Sequence, residues 1–274
     1  FAHRSGWIDQ VEQNAAILIM PLLSSGWDTV HWDTLTDYFN RHKNDFRSRL
    51  ENGNPGRDGF LWLWETMIYA VGYEEGADYL GNVLVKHSNF FAGAALVNGA
   101  THDFASANAL TDHWFVENPT KDYSARNQDV PVPVWFFGHT QNTDQAIQYF
   151  SEINHVDHEK FMIINGIETV IHFNKKEPAQ QVCTSFNVTG VDPIIADTVM
   201  NEFFNKSLRW KNSPDGTIKP YLGKKDYYTS QRFKHHRLKV HDLDYPYAVH
   251  LPEGLSTSTV KGLPLVISLH GRGE

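Results

Sequence analysis

Ile68-Tyr69-Ala70-Val71-Gly72-Tyr73-Glu74-Glu75-Gly76-Ala77-Asp78 begins as an apolar β-type run and ends in Gly-x-Glu-x-Gly. A helix-like pattern follows from Ala77 to about Ser88. Strand, tight turn and helix in this order present one side chain at the turn apex. The apex backbone is strained, and its neighbours must be small for strand and helix to pack. That is the physical reason for Gly72 and Gly76. The side chain so presented is Glu74.

Working outward, Ala15 to Pro21 reads as a buried strand closed by Pro and a Ser-Ser-Gly turn, and Thr34 to Leu50 as a surface helix. Phe91 to Val97 and Val132 to Phe137 are further buried strands, and Asp144 to Ile153 is helical. Phe161 to Ile164 and Thr169 to Phe173 have strand character. Pro193 to Leu208 is an amphipathic helix with Ile194, Ile195, Val199 and Phe203 on its apolar side. Strands alternating with helices predict an α/β fold, a mostly parallel central sheet with helices on both faces. Reactive groups in such sheets collect at the carboxyl ends of the strands. Glu74, Asn98 and Gly138 each sit just past a strand end and are expected on one rim.

The composition changes at Asn212-Ser213-Pro214-Asp215-Gly216-Thr217, a turn-rich linker. Beyond it, His236 to His241 and Tyr245 to Leu251 alternate like antiparallel strands. Leu263 to Leu269 is an apolar strand delivering the turn His270-Gly271. Residues 1–212 read as the body, and 213–274 as a linker with additional strands.

The 274 residues suffice for one large α/β domain or two small ones. A net charge of −8 argues against a nucleic-acid partner, which needs a concentrated basic surface. No apolar run approaches the ~20 residues that cross a bilayer, so no membrane partner is expected. No signal-peptide pattern is visible, and with Phe1 rather than Met in first place export stays open. Cys183 is the one cysteine, so an intramolecular disulfide is ruled out. The sequons at Asn187 and Asn205 read as chance matches. His155-Val156-Asp157-His158 has metal-capable side chains but lacks a third ligand at a recognisable spacing, so no metal is expected. Trp7, Trp27, Trp32, Trp62 and Trp64 offer either a platform for sugars and aromatic acids or ordinary packing.

Together these segments resemble the α/β-hydrolase fold, in its polyhydroxybutyrate-depolymerase and feruloyl-esterase-like branch. "IYAVGYEEGADYLGNVLVKHSNFFAGAALVNGA" resembles that family's nucleophile elbow, helix and next strand. "VPVPVWFFGHTQN" resembles the strand carrying the catalytic acid, and "ADTVMNEFFNKSLRW" the terminal helix. "YAVHLPEG" and "LPLVISLHGRGE" resemble the opening strands and the oxyanion loop. In the family these come before the elbow, whereas here they come last. The chain is therefore either circularly permuted, with residues 213–274 completing the same sheet, or a window across tandem units whose tail starts a second copy. The resemblance implies no cofactor and an extracellular setting. It implies a small acyl ester, polyester or plant-polymer ligand, and a neighbouring catalytic hydrolase domain in the tandem case.

The resemblance also assigns roles. Glu74 stands where the family has its serine nucleophile. The acid position falls on Gln141, with Asp144 as the nearby carboxylate. The base position, between Gln180 and Asp192, holds no histidine, and His172 is the nearest upstream. His270-Gly271 and the backbone N–H of Glu75 correspond to the oxyanion donors, and the Glu74 carboxylate is expected in that pocket. All three triad positions depart from the pattern. The first reading is a catalytically degenerate domain that binds a ligand or supports a catalytic partner. The alternative is an ester hydrolase acting through Glu74, Asp144 and His172, and the third is a purely structural module.

Overall fold

A computed structural model describes residues 1–14, 16, 18–21, 26–35, 68–111, 126–188, 190–209, 220–222, 233–240 and 243–250. The chain divides into two compact units, Phe1–Lys224 and Lys225–Glu274.

The first unit is built on a six-stranded sheet. Its strands are β1 (Tyr69–Tyr73), β2 (Gly93–Val97), β3 (Val134–Phe137), β4 (His158–Ile164), β5 (Ile167–Phe173) and β6 (Gln181–Ser185), in the spatial order β1-β2-β3-β6-β5-β4. β1, β2, β3 and β6 run parallel, β5 is antiparallel to β6, and β4 is antiparallel to β5 and so returns to the direction of the other four. Among the described residues the helices bounded at both ends are α1 (Trp7–Gln13), α2 (Glu75–Lys86), α3 (Thr143–Ile153) and α4 (Pro193–Glu202). Residues 32–35 are helical too, and the rest of the helix expected up to Leu50 lies outside the described residues. β7 (Ser207–Arg209) pairs antiparallel with β8 (Pro220–Leu222). This is the α/β architecture that the sequence pattern predicts.

Successive strand residues point to opposite faces of a sheet. β2 is buried at every position because both faces are covered. On one face Ala94, Leu96, Val134, Phe136 and Val182 pack against Leu80, Val83 and Leu84 of α2 and Ala146, Phe150 and Ile153 of α3. On the other, Ala95, Val97, Trp135, Phe137 and Cys183 pack against Trp7 of α1 and Ile195, Val199 and Met200 of α4. Each large side chain so buried contributes roughly 1.5–3 kcal/mol. α4 begins where Asp192 accepts the N–H of Ile194 at 2.9 Å and Pro193 fills the first turn. Asn205 is engaged in the same layer, donating to Asn14 at 2.8 Å.

Two expectations are corrected. Residues 16 and 18–21 form no strand. The chain instead closes the end of α1 through Ala16 N–H to Val11 O at 2.9 Å, and Leu18 packs on the α1–α4 face. α4 stops at Glu202 rather than continuing to Leu208, and β7 then occupies Ser207–Arg209. The expected linker at 212–217 and the strand at 263–269 lie outside the described residues.

In the second unit, β9 (Phe233–Val240) and β10 (Leu243–His250) form an antiparallel hairpin with Val240 opposite Leu243.

Arg209 closes the first unit at the end opposite the elbow. Its side chain is fully buried, with Nε donating to Phe91 O at 2.7 Å and Nη2 to Pro131 O at 2.6 Å. Those carbonyls immediately precede the β2 and β3 segments, and Ser207 Oγ donates to Ala92 O beside them at 2.6 Å. Burial pulls the guanidinium down to about 9, which leaves it charged at neutral pH. Replacing it strands buried carbonyls as well as removing the charge. We expect Arg209→Met to lower unfolding free energy by about 2–4 kcal/mol in urea titrations. A loss below ~1 kcal/mol would mean that those carbonyls find other partners.

Candidate functional site

Glu74 occupies the apex between β1 and α2 with φ 52° and ψ −123°, a conformation sparsely populated by side-chain-bearing residues. Backbone bonds hold it there. Its N–H donates to Val97 O at 2.8 Å, and its carbonyl accepts from Ala77 N at 2.8 Å and Asp78 N at 3.1 Å. A Cβ on Gly72 would sit 2.5 Å from Ala77 Cα and from Gly76 O, so that position excludes a side chain. Gly76 is less demanding, since a Cβ there would meet the Trp27 indole at 3.4 Å. A third glycine completes the enclosure: a Cβ on Gly99 would lie 2.5 Å from Glu74 O.

The rim extends sideways through backbone bonds. Asn98 N–H donates to Phe137 O at 2.8 Å, and Gly138 N–H to Ser185 O at 3.1 Å. Asn98 and Gly138 both have positive φ, 54° and 70°. Glu74, Asn98 and Gly138 therefore share one rim, as expected. Side chains from α2 brace the loop after β2. Asp78 accepts Ala100 N–H at 2.9 Å, and Asn82 Oδ1 accepts from Thr101 Oγ1 and from the N–H groups of His102 and Asp103.

The three residues of the alternative hydrolase reading are not brought together. Asp144, in the first turn of α3, lies on the rim side. His172 lies on β5, level with Val182, Val134, Ala94 and Ala70. The rim level is Tyr73, Val97, Phe137 and Ser185, three residues further along, or about 10 Å. Four strand spacings, about 19 Å, also separate β5 from β1. His172 instead faces Glu159, with Nδ1 3.5 Å from its carboxylate. An antiparallel β5 carries His172 away from the rim, which sequence proximity to β6 did not reveal.

Asp144 has a different partner. His139, one residue past Gly138, places Nε2 2.9 Å from Asp144 Oδ1. Both side chains are accessible, at 47% and 80%, and the imidazole meets the Phe186 ring edge-on at 5.2 Å. Sequence reasoning passed over His139, although its place directly after a strand-ending glycine was the available signal. Gln141 is exposed in the intervening turn.

Glu74 and Glu75 are both exposed. Among the described residues, the Glu74 carboxylate accepts no hydrogen bond, including none from Glu75 N–H. Of the donors expected in the amide pocket, Glu75 N–H does not reach the Glu74 carboxylate, which stands exposed. His270 and Gly271 lie outside the described residues.

Of the tryptophans, Trp7 is buried and donates Nε1–H to Tyr73 OH at 3.0 Å. Burial raises the Tyr73 phenol above its ordinary value, with the Trp7 hydrogen bond acting in the opposite sense. Trp32 packs against His87, Phe90 and Phe91. Trp27 lies over Gly76 and Tyr79, next to the apex. Trp62 and Trp64 are outside the described residues. Asp157 is engaged by His158 at 2.8 Å and by Lys175 N–H at 2.9 Å, which hold its carboxyl below the usual range. Among the described residues no group of three His, Cys, Asp or Glu converges as a metal site.

The chain is an α/β protein with a strained elbow at the carboxyl rim of a mostly parallel sheet. No protein-family model matches it, and no curated protein does. Its coordinates have a distant likeness to a solved acetyl xylan esterase from Aspergillus awamori, with a TM-score of 0.34 and 14% identity. The likeness covers 60% of this chain and 66% of that one, just under two thirds of its length.

Strain at the apex gives a direct test. Glycine tolerates φ 52° without the ~1–3 kcal/mol cost of a strained non-glycine residue. We expect Glu74→Gly to be about 1 kcal/mol more stable than the parent in urea, after its larger unfolded-state entropy is offset. Gly99→Ala should lose about 2 kcal/mol, because its methyl meets the Glu74 carbonyl. The opposite order of stabilities would remove the strained apex.

Proposed function

We infer that this chain is an α/β-hydrolase-type protein, of the polyhydroxybutyrate-depolymerase or esterase kind, that has given up serine-type hydrolysis. It acts as a ligand-binding or accessory domain for an acyl ester, polyester or plant polymer. One observation supports this reading: the side chain on the strained apex is an exposed carboxylate to which, among the described residues, no imidazole is hydrogen-bonded. A serine nucleophile needs a base within hydrogen-bond reach. A carboxylate attacking an ester gives a mixed anhydride, which then needs a placed water to resolve it.

A second reading, an active ester hydrolase centred on Glu74, draws support from the His139–Asp144 pair on the same rim. That pair supplies an imidazole oriented by a carboxylate, the arrangement a water-activating base requires. The two readings separate on a panel of p-nitrophenyl esters of increasing acyl length. The binding reading expects no turnover above buffer for any ester, with retention on insoluble polyester or plant polymer in a pull-down. Turnover that Glu74→Ala abolishes and His139→Gln cuts at least tenfold would establish the hydrolase. In that case His172→Gln should leave the rate unchanged.

A further inference from the structure

The sheet ends at β4, and the end is uncapped among the described residues. β4 is exposed at six of its seven positions. Phe161 and Ile163 are 62% and 65% exposed, and Met162 is 39% exposed. Long, apolar, accessible edge strands are normally blunted by charge, proline or a bulge. Here the charges, Glu159 and Lys160, sit in the half of the strand away from the turn, and the half nearer it is apolar.

The hairpin turn fixes which backbone groups face outward. Asn165 and Gly166 both have positive φ, 50° and 80°, as a two-residue type I′ turn requires. Ile164 and Ile167 flank it as a hydrogen-bonded pair, so alternate positions 164, 162, 160 and 158 bond inward to β5. The N–H and C=O groups of Glu159, Phe161 and Ile163 therefore face away from the sheet. Asn165 pins the turn by donating to Asp197 at 2.9 Å and to Thr198 at 3.1 Å.

We propose that β4 pairs antiparallel with β4 of a second copy of this chain, about a two-fold axis at Met162, to give a continuous twelve-stranded sheet. An isologous contact requires a surface complementary to itself, and the charges select the register. An axis at Lys160 sets Lys160 against its own copy, a like-charge pair that destabilises a sheet. An axis at Phe161 sets Glu159 against the partner's Ile163. An axis at Met162 puts Phe161 opposite the partner's Ile163 in both halves and Met162 opposite its copy. Glu159 then faces the partner's Asn165, and Lys160 the partner's Ile164. This register alone covers all three exposed apolar side chains with apolar ones and brings outward-facing N–H and C=O groups into bonding pairs. A seven-residue strand pair is smaller than the ~800 Å² per partner of a standard interface, so the dimer is weak and concentration-dependent. A net charge of −8 on each copy opposes it, and salt relieves that repulsion.

The full chain tests this in two ways. Its mass by light scattering should rise toward that of a dimer between about 10 μM and 1 mM, more so at high salt. Ile163→Lys and Phe161→Asp should each abolish the rise while keeping the parent's thermal transition. Met162→Cys should cross-link to a covalent dimer under mild oxidation, because a non-hydrogen-bonded antiparallel pair holds Cα atoms about 4.5 Å apart. Phe161→Cys should not, since it faces Ile163 rather than itself. The native thiol does not interfere: Cys183 is buried, and burial pushes it up to about 12. A parent that stays monomeric throughout, or a Met162→Cys variant that cross-links no better than Phe161→Cys, overturns the pairing.

Discussion

The N–H of Glu74 reaches Val97 O while its own carbonyl receives the N–H groups of Ala77 and Asp78. One residue thereby ends β1, starts α2 and ties both to the end of β2. The backbone of Gly99 lies against the same carbonyl, which makes the turn after β2 part of the enclosure. The pattern then repeats across the sheet, from Asn98 to Phe137 and from Gly138 to Ser185. A single register of backbone bonds thus builds the whole carboxyl rim. The glycines at 72 and 99 are the steric condition for its first step.

This arrangement divides labour between the two ends of the parallel strands. Fully buried Arg209 and Ser207 hold the entry segments of β2 and β3 by bonding to Phe91, Pro131 and Ala92 carbonyls. Between the ends, the two apolar layers share no side chains, because alternate residues serve opposite faces. Neither layer relies on the rim side chains. Exposed Glu74, Glu75, His139 and Asp144 are therefore not constrained by core packing.

Much of the body was legible in the sequence because periodicity and local chemistry agreed there. Residues 69–97 combine an apolar run, a glycine-bounded turn and a helical pattern, and each signal indicates the same unit. Val134–Phe137 is apolar throughout, as a strand covered on both faces must be. β6 was missed because Gln181-Val182-Cys183-Thr184-Ser185 is short and half polar; its partners Trp135 and Thr169 satisfy Ser185 only once the sheet is assembled. The periodicity of α4 runs on through Phe203, whose buried ring still packs on Trp135 although the backbone has left the helix. The site was harder to read. Spacing placed Asp144 near the rim but could not supply its partner. The choice between His139 and His172 depends on the antiparallel direction of β5, which is a long-range property.

An apex held entirely by backbone bonds explains how a carboxylate can stand there without harm to the fold. The strain belongs to φ and ψ, so any side chain bears it equally, and an exposed carboxylate adds no desolvation cost. Catalysis has no such tolerance. Glu74 and His139 follow β1 and β3, two strand spacings or about 10 Å apart, with β2 and Asn98 between them. Among the described residues no hydrogen bond joins the Glu74 carboxylate to the His139 imidazole, whose Nε2 is engaged by Asp144. Any proton transfer between these two side chains would therefore have to pass through a water held between them.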